Sequence, residues 1–124
     1  MQPGGPQGLS TWRDKPVVCL PGNPVSVLVS FVVLLRPVLL EAVGRPAVAP
    51  LRGRLARDVT SPAGRVQFLR ASLGAHADGL PAVEPVSGPG SHLVASMARA
   101  DVLAEIPADV TALPAGAEVD LIPL

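Results

Sequence analysis

The run Val17-Val18-Cys19-Leu20-Pro21-Gly22-Asn23-Pro24-Val25-Ser26 constrains this chain more than any other stretch. Val17 to Leu20 is short and continuously apolar, the pattern of a buried strand of the parallel type, covered on both faces. Gly22 offers a backbone free to take positive φ where the chain reverses. Asn23 is a good N-cap, because its side-chain oxygen accepts from the unpaired amides of a first helical turn. Pro24 suits the first helical position, where a missing N–H is harmless and φ is already set. Strand, glycine turn and helix make half of a βαβ unit, and such turns lie at the sheet edge where α/β proteins bind ligands. A helix start with free amides and a positive dipole end favours an anion. An ordinary βα turn that binds nothing has the same sequence pattern.

The 124 residues suffice for one domain, or for a small domain plus a piece of another. Ten basic and ten acidic residues cancel, which argues against a nucleic-acid binder that works by displacing counterions from a basic face. Hydrophobic residues make up 48% of the chain, yet only Trp12, Phe31 and Phe68 are aromatic, so the core must be built from Val, Leu and Ala. Cys19 is the single cysteine, which excludes an internal disulfide and any multi-cysteine metal site. On an apolar strand it reads as a small hydrophobe. No signal peptide is evident, since the first ten residues lack a basic start and an apolar run. A cytoplasmic location is the expectation.

Met1 to Ser10 reads as loop. A lone parallel-type strand cannot cover one helix, so the α/β part is expected to be a remnant whose remainder lies upstream. The helix is expected from Pro24 towards Val43, although the β-branched Val25, Val27, Val29, Val32 and Val33 leave a strand open as an alternative. Pro37 is expected to kink the helix or end it near Arg36. The apolar run then falls short of the roughly 20 residues of a membrane span, and no membrane insertion is expected. Gly44-Arg45-Pro46 reads as the helix stop. The division is thus 1–46 for the α/β remnant and 47–124 for a second domain of short, turn-bounded strands.

In that second part, Leu51, Gly53 and Leu55 alternate with Arg52 and Arg54, a half-exposed strand with a basic outer face. Val66 and Phe68 are expected on one face of the next strand, with Arg65, Gln67 and Leu69 on the other. Ala77-Asp78-Gly79 marks a hairpin. Ser87 to His92 is a glycine-rich turn, Leu93 to Ala100 a short helix, and Val102 to Pro107 and Ala117 to Leu124 are strands. The expected fold is therefore mixed: the C-terminal strand and helix of an α/β domain, then a small all-β, barrel-like domain. No catalytic constellation is visible. His76 and His92 lack metal-site neighbours, and Ser91-His92 has no identifiable carboxylate partner.

Leu-Pro-Gly-Asn-Pro-Val-Ser at positions 20–26, with its apolar helix and Arg36-Pro37, resembles the molybdopterin molybdenumtransferase family, MoeA in bacteria and gephyrin in animals. The resemblance continues through Gly64 to Arg70, Gly90-Ser91-His92, Leu93 to Ala100 and the closing Leu113 to Leu124. It implies an enzyme that inserts molybdenum from molybdate into adenylylated molybdopterin, with Mg²⁺ and release of AMP. It further implies a homodimer of four-domain subunits, in which the third domain is α/β and binds the pterin, and the fourth is a small β-clip domain. This chain would supply the end of the third domain and all of the fourth. Substrate-binding roles are implied for Pro21, Gly22, Asn23, Pro24, Ser26 and Gly90, and a catalytic role for Ser91. No metal ligand is expected in the chain; the Mg²⁺ carboxylates would lie upstream.

One position departs from the family pattern. Members often carry Pro-Gly-Lys-Pro before the strand, where the lysine can meet phosphate or molybdate; here Gly5 stands in its place. Two readings follow: part of an active transferase that is inactive by itself, or a binding or assembly module that kept the fold and lost catalysis.

Overall fold

The computed structural model describes residues 1–86 and 97–124. It contains two compact units, Gln2–Ala47 and Val48–Leu124.

The first unit opens with a hairpin of β1 (Gly8–Trp12) and β2 (Lys15–Cys19), paired antiparallel from Gly8↔Cys19 to Trp12↔Lys15. Arg13 and Asp14 both take positive φ, 49° and 61°, the geometry of a tight turn that matches the twist of the flanking strands. All ten strand residues are exposed. This corrects two expectations. Residues 8–10 are strand and not loop, and Val17 to Cys19 belong to an exposed antiparallel strand, not to a buried parallel one. The apolar run records only side-chain chemistry. The left-handed pair Arg13-Asp14 decides that Val17 and Val18 return alongside Ser10 and Leu9. Cys19 is exposed with them.

Helix α1 (Pro24–Ala42) follows. Asn23 caps it in extended conformation: its Oδ1 accepts from Val25 N at 3.0 Å and from Ser26 N at 3.3 Å. Pro24 occupies the first turn as expected. Val25, Val29 and Val32 recur at helical spacing and are buried, so packing on one face overrides their strand propensity. Ser30, fully buried beside them, donates to the Gly4 carbonyl at 3.3 Å and accepts from Gln7 Nε2 at 3.1 Å. That pair of bonds fastens the N-terminal loop to the middle of the helix.

Pro37 does not end the helix. A π-helical turn, Phe31–Leu35, immediately precedes it, with the Arg36 N–H reaching back to the Phe31 carbonyl. The wider turn takes up the missing proline donor and the ring's clash with the preceding turn, so the helix continues to Ala42. By length and composition α1 is therefore long and apolar enough to cross a membrane. It ends in a Schellman motif: Gly44, at φ +69°, gives its N–H to Glu41 O at 3.0 Å, and Arg45 gives its N–H to Leu40 O at 2.8 Å.

The second unit is a closed barrel of β3 (Leu51–Leu55), β5 (Gln67–Ala77), β6 (Leu80–Pro85), β7 (Val102–Ile106) and β9 (Glu118–Pro123), in the order β3-β6-β5-β7-β9. Among the described residues only the β3–β6 contact of the barrel is parallel. The short strands β4 (Val59–Thr60) and β8 (Ala112–Leu113) form a separate antiparallel ribbon. Closure leaves the barrel without free edges and lets an aromatic-poor core of Leu55, Ala71, Val83, Ala104, Ile106, Val119 and Leu121 fill it. The β5–β6 hairpin turns at Asp78-Gly79, both at positive φ, as the sequence requires.

β5 alternates as expected, with Phe68 and Leu69 on opposite faces, and the fold decides which face is inward. Leu69 and Ala71 pack with the barrel core, whereas Phe68 is buried but stands outside that cluster among the described residues. Phe68 is the larger hydrophobe, yet the register Leu69↔Ala104 and Ala71↔Val102 sets which alternate residues point inward. On the outer face of β3 and β9, Arg52 meets Glu118 and Asp120, each at 3.4 Å, and Arg54 meets Glu118 at 3.2 Å. The basic face expected of β3 is thus neutralised by its antiparallel neighbour.

Candidate functional site

The turn before α1 is built by its own cap. Gly22, Asn23 and Pro24 are exposed, while Pro21 and Ser26 are buried. Pro24 has no N–H to offer, and Asn23 Oδ1 takes those of Val25 and Ser26. The Val27 N–H already bonds the Asn23 carbonyl at 2.9 Å. The sequence reading expected free amides here; the cap leaves none in the first helical turn. What remains for an anion is the positive end of the helix dipole and the exposed backbone of Gly22 and Asn23.

Gly5, in the N-terminal loop of the same unit, is exposed, and a Cβ built on it meets nothing within 4 Å. Its φ is not in the left-handed range. Nothing in the local fold therefore requires glycine at this position, and a long side chain has room there.

Gly90, Ser91 and His92, and the first half of the short helix expected over Leu93 to Ala100, lie outside the described residues. The structure describes the chain on either side: Val86 follows β6, its N–H bonded to Arg70 O at 2.8 Å, and the Asp101 N–H bonds Ala71 O at 2.9 Å. A polar hollow of about 260 Å³ opens in this part of the barrel unit, lined by Arg57, Ser72, Glu84, Pro85, Val86 and Arg99. Arg57 Nε pairs with Glu84 at 3.1 Å, and its terminal nitrogen donates to the Pro85 carbonyl. Ser72 lies opposite Glu84 in the β5–β6 register. Burial pushes the Arg70 guanidinium below its ordinary value. This hollow is not legible in the sequence, because Ser72 meets Glu84 only through the β5–β6 register and Arg57 reaches Glu84 from the loop after β3. Its residues can offer the Arg99 guanidinium and the Ser72 hydroxyl, while Arg57 and Glu84 are engaged with one another.

Among the described residues, no three of His, Cys, Asp and Glu come together in a way that would hold a metal ion. His76 lies exposed on β5 near its hairpin end.

Residues 52–124 match the family model described as the MoeA C-terminal region, domain IV. Molybdopterin molybdenumtransferase 2 of Mycobacterium tuberculosis is 43% identical over 123 residues, a match covering 98% of this chain and 30% of that protein. Molybdopterin molybdenumtransferase 1 of the same species is 35% identical over 129 residues, again covering 98% of this chain and 30% of the relative. The crystal structure of the molybdopterin biosynthesis MoeA protein from Pyrococcus horikosii superposes with a TM-score of 0.83 at 36% identity, over 98% of this chain and 29% of that one. The chain thus spans about 30% of the length of the curated relatives it matches. The hairpin and capped helix, followed by a closed five-stranded barrel that matches domain IV over residues 52–124, make this chain a member of the MoeA family, corresponding to its C-terminal part.

Proposed function

We propose that this chain acts as the C-terminal part of a molybdopterin molybdenumtransferase, which moves molybdenum from molybdate into adenylylated molybdopterin. The observation that carries this reading is the 43% identity to a molybdenumtransferase that runs through both units, over 98% of the chain. Gln2–Ala47 is then the end of the α/β, molybdopterin-binding domain, and the barrel is the β-clip domain.

In this reading the exposed turn Gly22-Asn23-Pro24, with Pro21 behind it, shapes the approach to the substrate anion. The dipole of a 19-residue helix favours negative charge there. Ser26 is buried in the first helical turn, where its N–H joins the Asn23 cap, and it backs the same turn. Gly90 permits close backbone approach, and Ser91 supplies a hydroxyl donor to the charged substrate. Among the described residues no cluster fits a magnesium site; the family resemblance implies that carboxylates upstream of this chain would hold Mg²⁺. The family resemblance further suggests a homodimer that binds small-molecule substrates; a cytoplasmic location with no nucleic-acid or membrane partner is proposed from the chain's own composition and charge balance.

A second reading, a binding or assembly module without catalysis, is favoured by one observation. Gly5 replaces a family lysine at a place where the fold leaves room for a side chain. One chimera tests both. This chain replaces the matching C-terminal part of the M. tuberculosis transferase 2, and molybdenum insertion is measured. Insertion by the chimera, with none by the isolated chain, supports the transferase. A folded but inactive chimera that gains activity on Gly5→Lys supports the module.

A further inference from the structure

We infer that Asp101 is a positioning residue, whose carboxylate sets where the chain carrying Ser91 rejoins the barrel. The inference rests on the proposed role of Ser91 and adds a second residue that acts through it.

Residues 87–100 run between β6 and β7, and the residues at both ends of this connection are fastened to one stretch of β5. At the start, the Val86 N–H bonds the Arg70 carbonyl at 2.8 Å; at the finish, the Asp101 N–H bonds the Ala71 carbonyl at 2.9 Å. The chain therefore leaves and returns at adjacent residues of the same strand. Both bonds join backbone groups and do not depend on the side chains present. A third bond does. Asp101 Oδ2 accepts from the Leu73 N–H at 2.8 Å, the distance of a charge-assisted bond.

Leu73 takes a side-chain acceptor because of where it stands. The pairing of β5 with β7 runs from Gln67↔Ile106 to Ala71↔Val102 and stops there. On the other side, β5 pairs with β6 as far as Leu73↔Val83, and the register then shifts before His76↔Pro81. Leu73 is thus the last regular residue before a bulge, past the end of β7. The Asp101 carboxylate extends the ladder by one bond where the strand cannot. The Asp101 carbonyl also accepts from the Leu124 N–H at 3.0 Å, which ties the return point to the end of β9.

Asp101 is exposed, and water can replace it at the Leu73 N–H, so its share in folding is small. Its weight lies in geometry. Displacing a reacting group by about 1 Å can cost about 100-fold in rate, so an anchor for the connection that holds Ser91 matters more to turnover than to stability.

Asp101→Ala removes the acceptor and Asp101→Asn keeps one. In the whole chain, Asp101→Ala should quicken hydrogen exchange at Leu73 and over residues 87–100 about tenfold, while β7, β9 and the unfolding midpoint change little. Asp101→Asn should leave that exchange slow. In the chimera with transferase 2, Asp101→Ala should lower kcat for molybdenum insertion several-fold, by no more than Ser91→Ala does, and move KM less. Added to Ser91→Ala it should cost nothing further, because a residue that acts through Ser91 then has nothing left to position. Unaltered exchange over residues 87–100 overturns the proposal. So does undiminished kcat in an active chimera, or an equal loss of kcat with and without Ser91, which would make the effect general to the barrel. Asp101→Asn as slow as Asp101→Ala would also overturn it, since the charge would then act elsewhere than on the Leu73 N–H. The exchange measurement needs no reaction, so a chimera that inserts no molybdenum refutes the transferase reading while exchange still decides whether Asp101 holds the connection.

Discussion

Gly53 lies so close to Val83 inside the barrel that the two leave no space for another carbon between them. A Cβ at position 53 would also stand 2.9 Å from Leu121 Cδ1 and 3.0 Å from the Pro81 carbonyl. Gly53 pairs with Val119 across β3–β9, and its neighbours on β6 and β9 are core residues or backbone. Gly53→Ala should therefore overpack the barrel and destabilise it by about 1–3 kcal/mol. Thermal unfolding of the chain measures this, and an unchanged or raised midpoint would show that the barrel yields at that point.

Ser30 is the polar centre of the other unit. Ser30→Ala strands the Gly4 carbonyl and the Gln7 amide, the former in a buried setting. Leaving a buried group without its partner costs about 1–3 kcal/mol. Hydrogen exchange should quicken over residues 2–9 and remain unaltered in the barrel strands. Uniform acceleration along the chain would show that the serine supports more than the N-terminal loop.

At the helix start, stability and anion recognition are separable. Asn23→Ala removes the acceptor for Val25 N and Ser26 N and should destabilise the unit by about 1 kcal/mol. Asn23→Asp keeps an acceptor and adds a charge that the dipole favours, so stability should hold or rise slightly. The same charge repels an anionic substrate. In the chimera, Asn23→Asp should raise the substrate KM while leaving the unfolding midpoint intact. A KM unaffected by the added charge would remove this turn from the anion site.

Ser91 carries the catalytic assignment. A lost hydrogen bond to a charged ligand is worth about 1.5–3 kcal/mol, so Ser91→Ala in the chimera should slow molybdenum insertion by roughly tenfold or more. Removing one hydroxyl outside the core packing described above should move the unfolding midpoint little. Undiminished insertion by the variant would remove Ser91 from the reaction.

Much of this chain was legible because its signals are local. Asn23, Pro24 and Gly44 act on backbone groups within a few residues, so the ends of α1 follow from the sequence. Asp78-Gly79 likewise specifies a hairpin through its own φ preferences, and turn-bounded strands at short spacing are enough to expect a small barrel. The Leu20 to Ser26 string identified the family for a similar reason: motif identity does not depend on where the rest of the chain packs.

Tertiary structure decided what depends on neighbours distant in sequence. Val17-Val18 has the composition of a buried strand, but its partner is the exposed strand returning from Arg13-Asp14. Phe68 and Leu69 are both apolar, and only the pairing of β5 with β7 chooses Leu69 for the barrel core. Pro37 would break a regular helix, yet the π turn at Phe31–Leu35 carries the helix past it. The amides that made the helix start look open are consumed by Asn23 itself, a competition between cap and ligand that residue type alone does not resolve. Capping and turn preferences are properties of a few adjacent residues and survive in sequence. Facing, burial and the freedom of a donor are relations between elements, and they exist only once the chain has folded.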